Sequence, residues 1–266
     1  MPDTIALRFL GTGSAQSLDL GNSSAVLERG SEPLLLIDCG PDSVRQFAHA
    51  YDGRLPHAVY ITHTHLDHIG GLENLFYLAW LRTPRAPAIK LYVPVKLVEL
   101  LHRRVADYPN ILAEGGANFW DAFQLVPVSE DFWHSDLKFS VFPVRHHEFH
   151  TAFGLALEGR FVFTGDTRPI PEVLNRYACR GELVFHDCGL RGNPSHTGMD
   201  DLAAAYRAEI LPRLVLYHYE SHQAGDFMEQ HGYRVARPGD RFCLATGTTM
   251  EAPTEFAAAQ PGATMS

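Results

Sequence analysis

Residues Thr62-His63-Thr64-His65-Leu66-Asp67-His68-Ile69-Gly70-Gly71 set three histidines and one aspartate within six positions. The apolar run Ala58–Thr62 precedes them and the amphipathic run Ile69–Leu81 follows. The segment therefore reads as a strand end, a short polar turn and a helix start. His63 and His65, two apart in extended chain, point to the same side, and Asp67 and His68 then turn into the helix. Imidazole nitrogen and carboxylate oxygen are suitable donors for Zn²⁺, and also for Mn²⁺ or Fe. Four such donors at this density point to a metal site rather than to a solvated loop.

The rest of the chain supplies the frame for that turn. Strand-like runs are Ile5–Leu10, Ser24–Glu28, Leu34–Asp38, Ala58–Thr62, Phe139–Val144, Gly154–Leu157, Phe161–Thr164, Leu183–His186 and Leu214–Tyr217. They are rich in Val, Ile, Leu and Phe. Helix-like runs are Ser43–Tyr51, Ile69–Leu81, Val95–Asp107, Met199–Ile210 and Gly225–His231. Asp200 and Asp201 fall in the first turn of the fourth, where carboxylates suit the helix dipole, and Thr197 is its expected cap. Strands come in runs, not in strict alternation with helices. That pattern favours an α/β fold of two mixed sheets with helices outside over a doubly wound sheet. No Gly/Ser-rich linker divides the chain. One domain over residues 1–251 and a disordered Ala/Pro/Gly/Thr/Ser tail from Ala252 to Ser266 are expected.

Composition narrows the function. Lys+Arg is 22 and Asp+Glu 31, a net charge of −9, which is a poor general platform for duplex nucleic acid. No apolar run approaches the roughly 20 residues needed to cross a bilayer. Met1-Pro2-Asp3-Thr4 opens no secretory signal, so a cytoplasmic protein without membrane partners is expected. Cys39, Cys179, Cys188 and Cys243 form no CxxC pair and read as unpaired thiols. Histidine is the outlier, with 15 in the chain against three lysines.

Further donors lie at other strand ends. Phe163-Thr164-Gly165-Asp166 closes an apolar run with a carboxylate after a glycine. Val144-Arg145-His146-His147-Glu148-Phe149-His150 follows another run, and His218 ends Leu214–Tyr217. Ligands held at the ends of a rigid sheet make a preorganised, open site.

With these motifs in place the sequence resembles the metallo-β-lactamase superfamily. The His63-x-His65-x-Asp67-His68 signature is specific to it, and the resemblance runs from Leu10-Gly11-Thr12-Gly13 to Pro238-Gly239-Asp240. The resemblance implies a four-layer αβ/βα sandwich with a dinuclear centre between the sheets. Of two divalent ions, zinc first, one takes His63, His65 and His147, and the other takes Asp67, His68 and His218. Asp166 bridges them, with a water or hydroxide between. His146 and His150 remain alternatives to His147, because the run from His147 to Gly154 is one residue longer than the family pattern. His222 is a rival to His218.

Asp67-His68 makes an all-nitrogen-and-oxygen site that resembles the ribonuclease Z, glyoxalase II and phosphodiesterase branches, and Leu10-Gly11-Thr12-Gly13-Ser14-Ala15 resembles the first-strand turn of the ribonuclease Z-like phosphodiesterases. Val184-Phe185-His186-Asp187-Cys188, followed by Pro194-Ser195-His196-Thr197-Gly198, resembles that branch's acid–histidine pair, with Asp187 in place of Glu. The resemblance implies that Asp187 orients His196 and that His196 protonates a leaving oxygen or binds phosphate. Catalysis would then rest on His196, Asp187 and Asp67. The tRNA-processing members insert a basic arm before the bridging Asp, and Gly154–Phe161 leaves no room for one. A small, cyclic or linear phosphodiester is therefore the expected substrate, and tRNA is not. A thioester or lactone hydrolase is the alternative, and a non-catalytic metal-binding sensor the third reading. Phe76, Tyr77 and Trp80, with Phe119, Trp120, Phe132 and Trp133, serve core packing, a homodimer face or an aromatic substrate wall.

Overall fold

All nine expected strand runs pair in the computed structural model, which describes residues 4–82, 87–107, 112 and 115–244. The tail expected from Ala252 lies outside the described residues. The first sheet orders β14 (Arg241–Cys243), β1 (Ile5–Gly11), β2 (Ser24–Arg29), β3 (Glu32–Ile37), β4 (Ala58–Tyr60), β5 (Ile89–Pro94) and β6 (Phe123–Val128). The second orders β13 (Arg234–Val235), β12 (Leu214–Tyr217), β11 (Leu183–Asp187), β10 (Phe161–Phe163), β9 (Phe153–Leu157), β8 (Leu137–Pro143) and β7 (Asp131–His134). Both are mixed: β3 to β6 run parallel in the first, and β10 to β13 in the second.

The sheets face each other through aromatic side chains. Phe9 of β1 lies 5.5 Å from Phe185 and 5.6 Å from Tyr217, centroid to centroid, and Tyr60 of β4 stacks on Phe132 of β7 at 5.8 Å. Burying one such ring contributes roughly 1.5–3 kcal/mol. Phe76, Phe119 and Phe132 are buried in the same continuous apolar cluster, whereas Trp133 stays 64% exposed. On the outside of the first sheet, α1 (Ser43–Ala50) contributes Val44 and Phe47, and the α3 helix (Leu72–Arg82) contributes Leu75 and Phe76. On the outside of the second, Leu174 of α5 (Pro171–Tyr177), Leu202 of α6 (Met199–Ala205) and Met228 of α7 (His222–Gln230) cover Val162, Val184 and Leu216. The result is the four-layer sandwich expected from the sequence.

Three helix expectations need correction. The run Ile69–Leu81 is two helices, α2 (Leu66–Ile69) and α3, because the Gly71 N–H leaves the helix to bond the Cys39 carbonyl at 2.9 Å. Val95–Asp107 has only one α-helical turn, α4 (Val98–Leu101), between a 3₁₀ turn and a π turn. The helix from Met199 ends at Ala205, and Thr197 does not cap it. Gly198 takes the cap position, its N–H bonded by Asp201 at 2.9 Å, while the Thr197 hydroxyl donates to the Thr167 carbonyl. No helix among the described residues is long and apolar enough to cross a membrane.

Candidate functional site

The ends of β4, β10, β11 and β12 meet where the two sheets touch. An isolated bridge between His63 and Ala152, with the Phe153 N–H donated to the Thr62 carbonyl at 2.9 Å, ties β4 to the start of β9. Asp166 follows β10 through Gly165, whose φ of +64° is open to glycine at little cost. The Leu10–Ser14 turn supports the far side: the His218 N–H bonds the Thr12 carbonyl at 2.8 Å. His218 itself adopts φ +66°, a left-handed backbone that aims its ring inward.

Two donor clusters share one carboxylate. His63, His65, His146 and Asp166 form the first; Asp67, His68, Asp166 and His218 form the second. In the first, His146 Nε2 lies 3.2 Å from His65 Nδ1, and His63 Nε2 lies 3.6 Å from Asp166 Oδ2. In the second, Asp166 Oδ2 is 3.3 Å from His68 Nε2 and 3.2 Å from His218 Nε2. Asp67 Oδ2 is 3.4 Å from His68 Nε2 and 3.7 Å from His218 Nε2.

The third member of the first cluster is His146, not His147. His146 is buried, whereas His147 lies outside the cluster and donates its Nδ1–H to the Thr151 hydroxyl at 2.7 Å. The extra residue before Gly154 is taken up in a turn in which the Thr151 N–H and hydroxyl both reach the Glu148 carbonyl. His150 sits in the same turn, stacked on the exposed Phe149, and also lies outside the cluster. His222 begins α7 and is likewise outside. His146→Ala is expected to remove about one bound divalent ion per chain, and His147→Ala none, by elemental analysis after reconstitution.

Four of the five donor rings are held at their other nitrogen. His68 Nδ1 bonds Asp38 at 2.8 Å; the same carboxylate accepts the Thr62 N–H and hydroxyl, and the Thr62 oxygen is 3.1 Å from His63 Nδ1. His146 Nδ1 bonds the Ser195 carbonyl at 2.9 Å, and His218 Nδ1 is 3.3 Å from Asp187. Asp38 escaped the sequence analysis, although it closes the run Leu34–Asp38 just as the other site carboxylates close theirs. It is buried at φ +60°. Gly40 is required next to it, because a Cβ there would clash with the Asp67 carbonyl.

The remaining nitrogens converge without partners. His63 Nε2, His68 Nε2, His218 Nε2 and Asp166 Oδ1 are buried and make no hydrogen bond. Leaving each unpaired costs about 1–3 kcal/mol, which a bound cation offsets. The donor set is nitrogen and oxygen, so it fits a hard or borderline divalent ion.

Charge is balanced in the same way. Burial raises the Asp166 carboxyl, but His218, His68 and His63 outweigh it and hold the group well below the usual range. Burial lowers His218, yet Asp166, Asp187 and Asp67 push it up to about 10. His63 and His146, where burial dominates, are pushed down, His146 to about 4. So one cluster is neutral imidazole and the other holds protons that a metal can displace.

A third group adjoins the second cluster. His196 Nδ1 bonds Asp187 Oδ2 at 2.9 Å, Asp187 also accepts the Thr167 N–H at 2.8 Å, and the His196 ring stacks on His218 at 5.0 Å. Burial lowers His196, but the Asp187 hydrogen bond outweighs it and raises the imidazole. The neighbouring His186 is a satisfied core histidine, bonded to the Asp187 carbonyl and the Tyr206 hydroxyl.

A family model described as "Anti-Pycsar protein Apyc1" matches residues 5–242. The chain belongs to this family. The Apyc1 relative from Bacillus phage BSP38 is 31% identical, the match covering 92% of this chain and 100% of that protein. Among solved structures, a diphosphatase from the PhnP family superposes with TM-score 0.71 at 20% identity, over 91% of this chain and 100% of its own. The metallo-β-lactamase fold protein YhfI from Bacillus subtilis superposes with TM-score 0.69 at 14% identity, over 90% and 99%. These likenesses place this Apyc1-family chain in the metallo-β-lactamase fold.

Proposed function

We infer that the chain is a metal-dependent phosphodiesterase that hydrolyses a small, cyclic or linear phosphodiester and shares the anti-Pycsar role for which its relatives are named. The observation that carries this reading is the Asp187–His196 pair set against His218: an imidazole hydrogen-bonded to a buried carboxylate beside the donor clusters, with a quarter of its side chain exposed. A lactone or thioester opened at the donor clusters alone has no need of it.

His63, His65 and His146 would hold one divalent ion and Asp67, His68 and His218 the other, with Asp166 shared; zinc suits both sets. When bound, such a pair supplies Lewis-acid charge and lowers the pKa of water toward ~7. Asp67 and Asp166 offset about two of its four positive charges, leaving a net attraction for an anionic phosphodiester. His196 delivers its proton to the departing oxygen, and Asp187 keeps the imidazole oriented and charged until then. Asp38 and Asp187 hold His68 and His218 in the tautomer that directs Nε2 inward. The three-residue turn between β9 and β10, Glu158-Gly159-Arg160, offers no arm for tRNA, and the net charge of −9 repels it.

The test is a substrate panel with zinc- and manganese-reconstituted protein: 3′,5′- and 2′,3′-cyclic nucleotides, linear alkyl and aryl phosphodiesters, lactones and thioesters. Turnover confined to phosphodiesters is the expected result. Turnover confined to lactones or thioesters overturns the reading, and metal uptake with no turnover of any ester leaves a binding protein.

A further inference from the structure

The loop between β11 and α6 joins the two halves of the proposed machinery. Ser195 lends its carbonyl to His146 Nδ1 at 2.9 Å, and the next residue is His196, whose Nδ1 bonds Asp187 at 2.9 Å. A carbonyl only accepts, so His146 must carry its proton on Nδ1, which leaves the Nε2 lone pair facing His65 and Asp166. The two rings then meet edge to face at 4.8 Å. One cluster histidine and the proposed proton donor are thus set by consecutive residues of one turn.

That turn is held by Asn193. Its side-chain Oδ1 accepts the Ser195 N–H at 2.8 Å and the His196 N–H at 3.0 Å, and its own N–H donates to the His196 carbonyl at 3.0 Å. Pro194 between them has no N–H and a fixed φ, so the amide oxygen is what binds the Ser195 and His196 N–H groups within the turn. Asn193 is exposed and packs into neither core. Its hydrogen bonds serve the two residues that face the site.

We propose that Asn193 is a positioning residue that couples the metal-binding tautomer of His146 to the placement of His196. The proposal rests on the phosphodiesterase reading for its second half and on the donor cluster alone for its first. Without the amide oxygen, the Ser195 carbonyl turns away from His146, and the His196 ring loses its bearing on Asp187. Both losses arise from one atom.

The experiment compares wild type, Asn193→Ala and Asn193→Asp. The aspartate keeps an acceptor oxygen at the same place and serves as the rescue. Zinc affinity is read by chelator competition on the apo protein, independently of turnover. The kcat/KM ratio is read on thymidine 5′-p-nitrophenyl phosphate against a 3′,5′-cyclic nucleotide, whose alkoxide leaving group needs a proton. Asn193→Ala should weaken the affected zinc site roughly 10–100-fold and cut turnover of the cyclic nucleotide by a similar factor, the scale seen when the partner of a metal-ligating group is removed. The loss on the p-nitrophenyl ester should be several-fold smaller, and Asn193→Asp should recover both properties to within about threefold. An alanine variant matching wild type in both readouts overturns the proposal. So does loss of one readout without the other, or an aspartate variant that fails like alanine. If wild type hydrolyses no phosphodiester, the parent reading fails, and the zinc titration still decides the His146 half.

Discussion

Asp166→Asn should leave at most about one divalent ion per chain and lower turnover by roughly 10³-fold or more, beyond the 10²–10³ typical of a single lost oxyanion donor. The reason is geometric. Asp166 Oδ2 stands 3.3 Å from His68 Nε2, 3.2 Å from His218 Nε2 and 3.6 Å from His63 Nε2, so it is the one carboxylate common to both clusters. An amide there removes an anion from each metal set at once and presents an N–H₂ donor to cations. The apo protein reports the same change through protons. Burial lowers His218, and Asp166 is the largest influence that opposes it and brings the group to about 10. In wild type, this raised pKa contributes stability that is fully present below the unfolded value of about 6.5 and fades as pH rises through 10. The depressed Asp67, Asp166 and Asp187 contribute stability present above about 4 and lost as pH falls through their folded values. Burial-lowered His63 and His146 resist protonation in the folded state, so they cost stability as pH falls below about 6.5. Apo wild type should therefore be most stable near pH 6.5, about where the opposing contributions meet. Zinc must displace the His218 proton, so its affinity should tighten about tenfold per pH unit for each proton released. Thermal melts across pH with and without zinc, and calorimetry in buffers of different ionisation enthalpy, check both. An Asp166→Asn protein that still binds two ions and releases the same protons would show that the clusters do not share this carboxylate.

The sandwich and the motif were legible because they rest on strong local signals. Long apolar runs marked nine of the ten interior strands, β5 with Lys90 near its start being the exception, and the His63–His68 spacing fixed a turn between strand and helix. What escaped was mostly at the sheet margins. β6, β7, β13 and β14 are edge strands, the last two only two and three residues long, and their apolar demand is set by one neighbour instead of two. Pro127 lies within β6, and proline is tolerated in a strand at a sheet edge. The site was read unevenly for a related reason. His63, Asp166 and His218 stand at the ends of apolar strands, so strand geometry aims them, and His65, Asp67 and His68 follow in the compact turn from β4 into α2. His146 sits in a turn before β9, where adjacent histidines differ only by how the loop closes. Burial chose between them: His146 finds the Ser195 carbonyl, 49 residues away in sequence, and no local pattern encodes that meeting. Asp38 was missed because Thr62 and His68 reach it only in the fold, and Asn193 because its local turn gains its role only where the Ser195 carbonyl meets His146.

His196→Ala separates the phosphodiesterase from a generic hydrolase on the same fold. His196 lies in neither of the two clusters that share Asp166, so the variant should retain both metals. It should lower kcat/KM by roughly 10²–10⁴ on alkyl phosphodiesters, the range for a positioned general acid. The imidazole is lowered by burial but raised overall by Asp187, so wild-type activity should decline as pH climbs past this raised value, and His196→Ala should lose that alkaline limb. Esters of p-nitrophenol should be spared most of the loss, because that leaving group departs without a proton. Asp187→Asn is a sharper control than the sequence suggested. Asp187 holds His196 at 2.9 Å through one oxygen and approaches His218 Nδ1 at 3.3 Å through the other. Its replacement should therefore blunt the pH limb and also loosen the ion on the Asp67–His68–His218 side, which elemental analysis resolves from a pure acid defect. Metal loss in His196→Ala would make His196 a ligand and redraw the site. Full activity of that variant on every phosphodiester, at every pH, would remove the proton donor from the mechanism and move the balance to lactone or thioester chemistry.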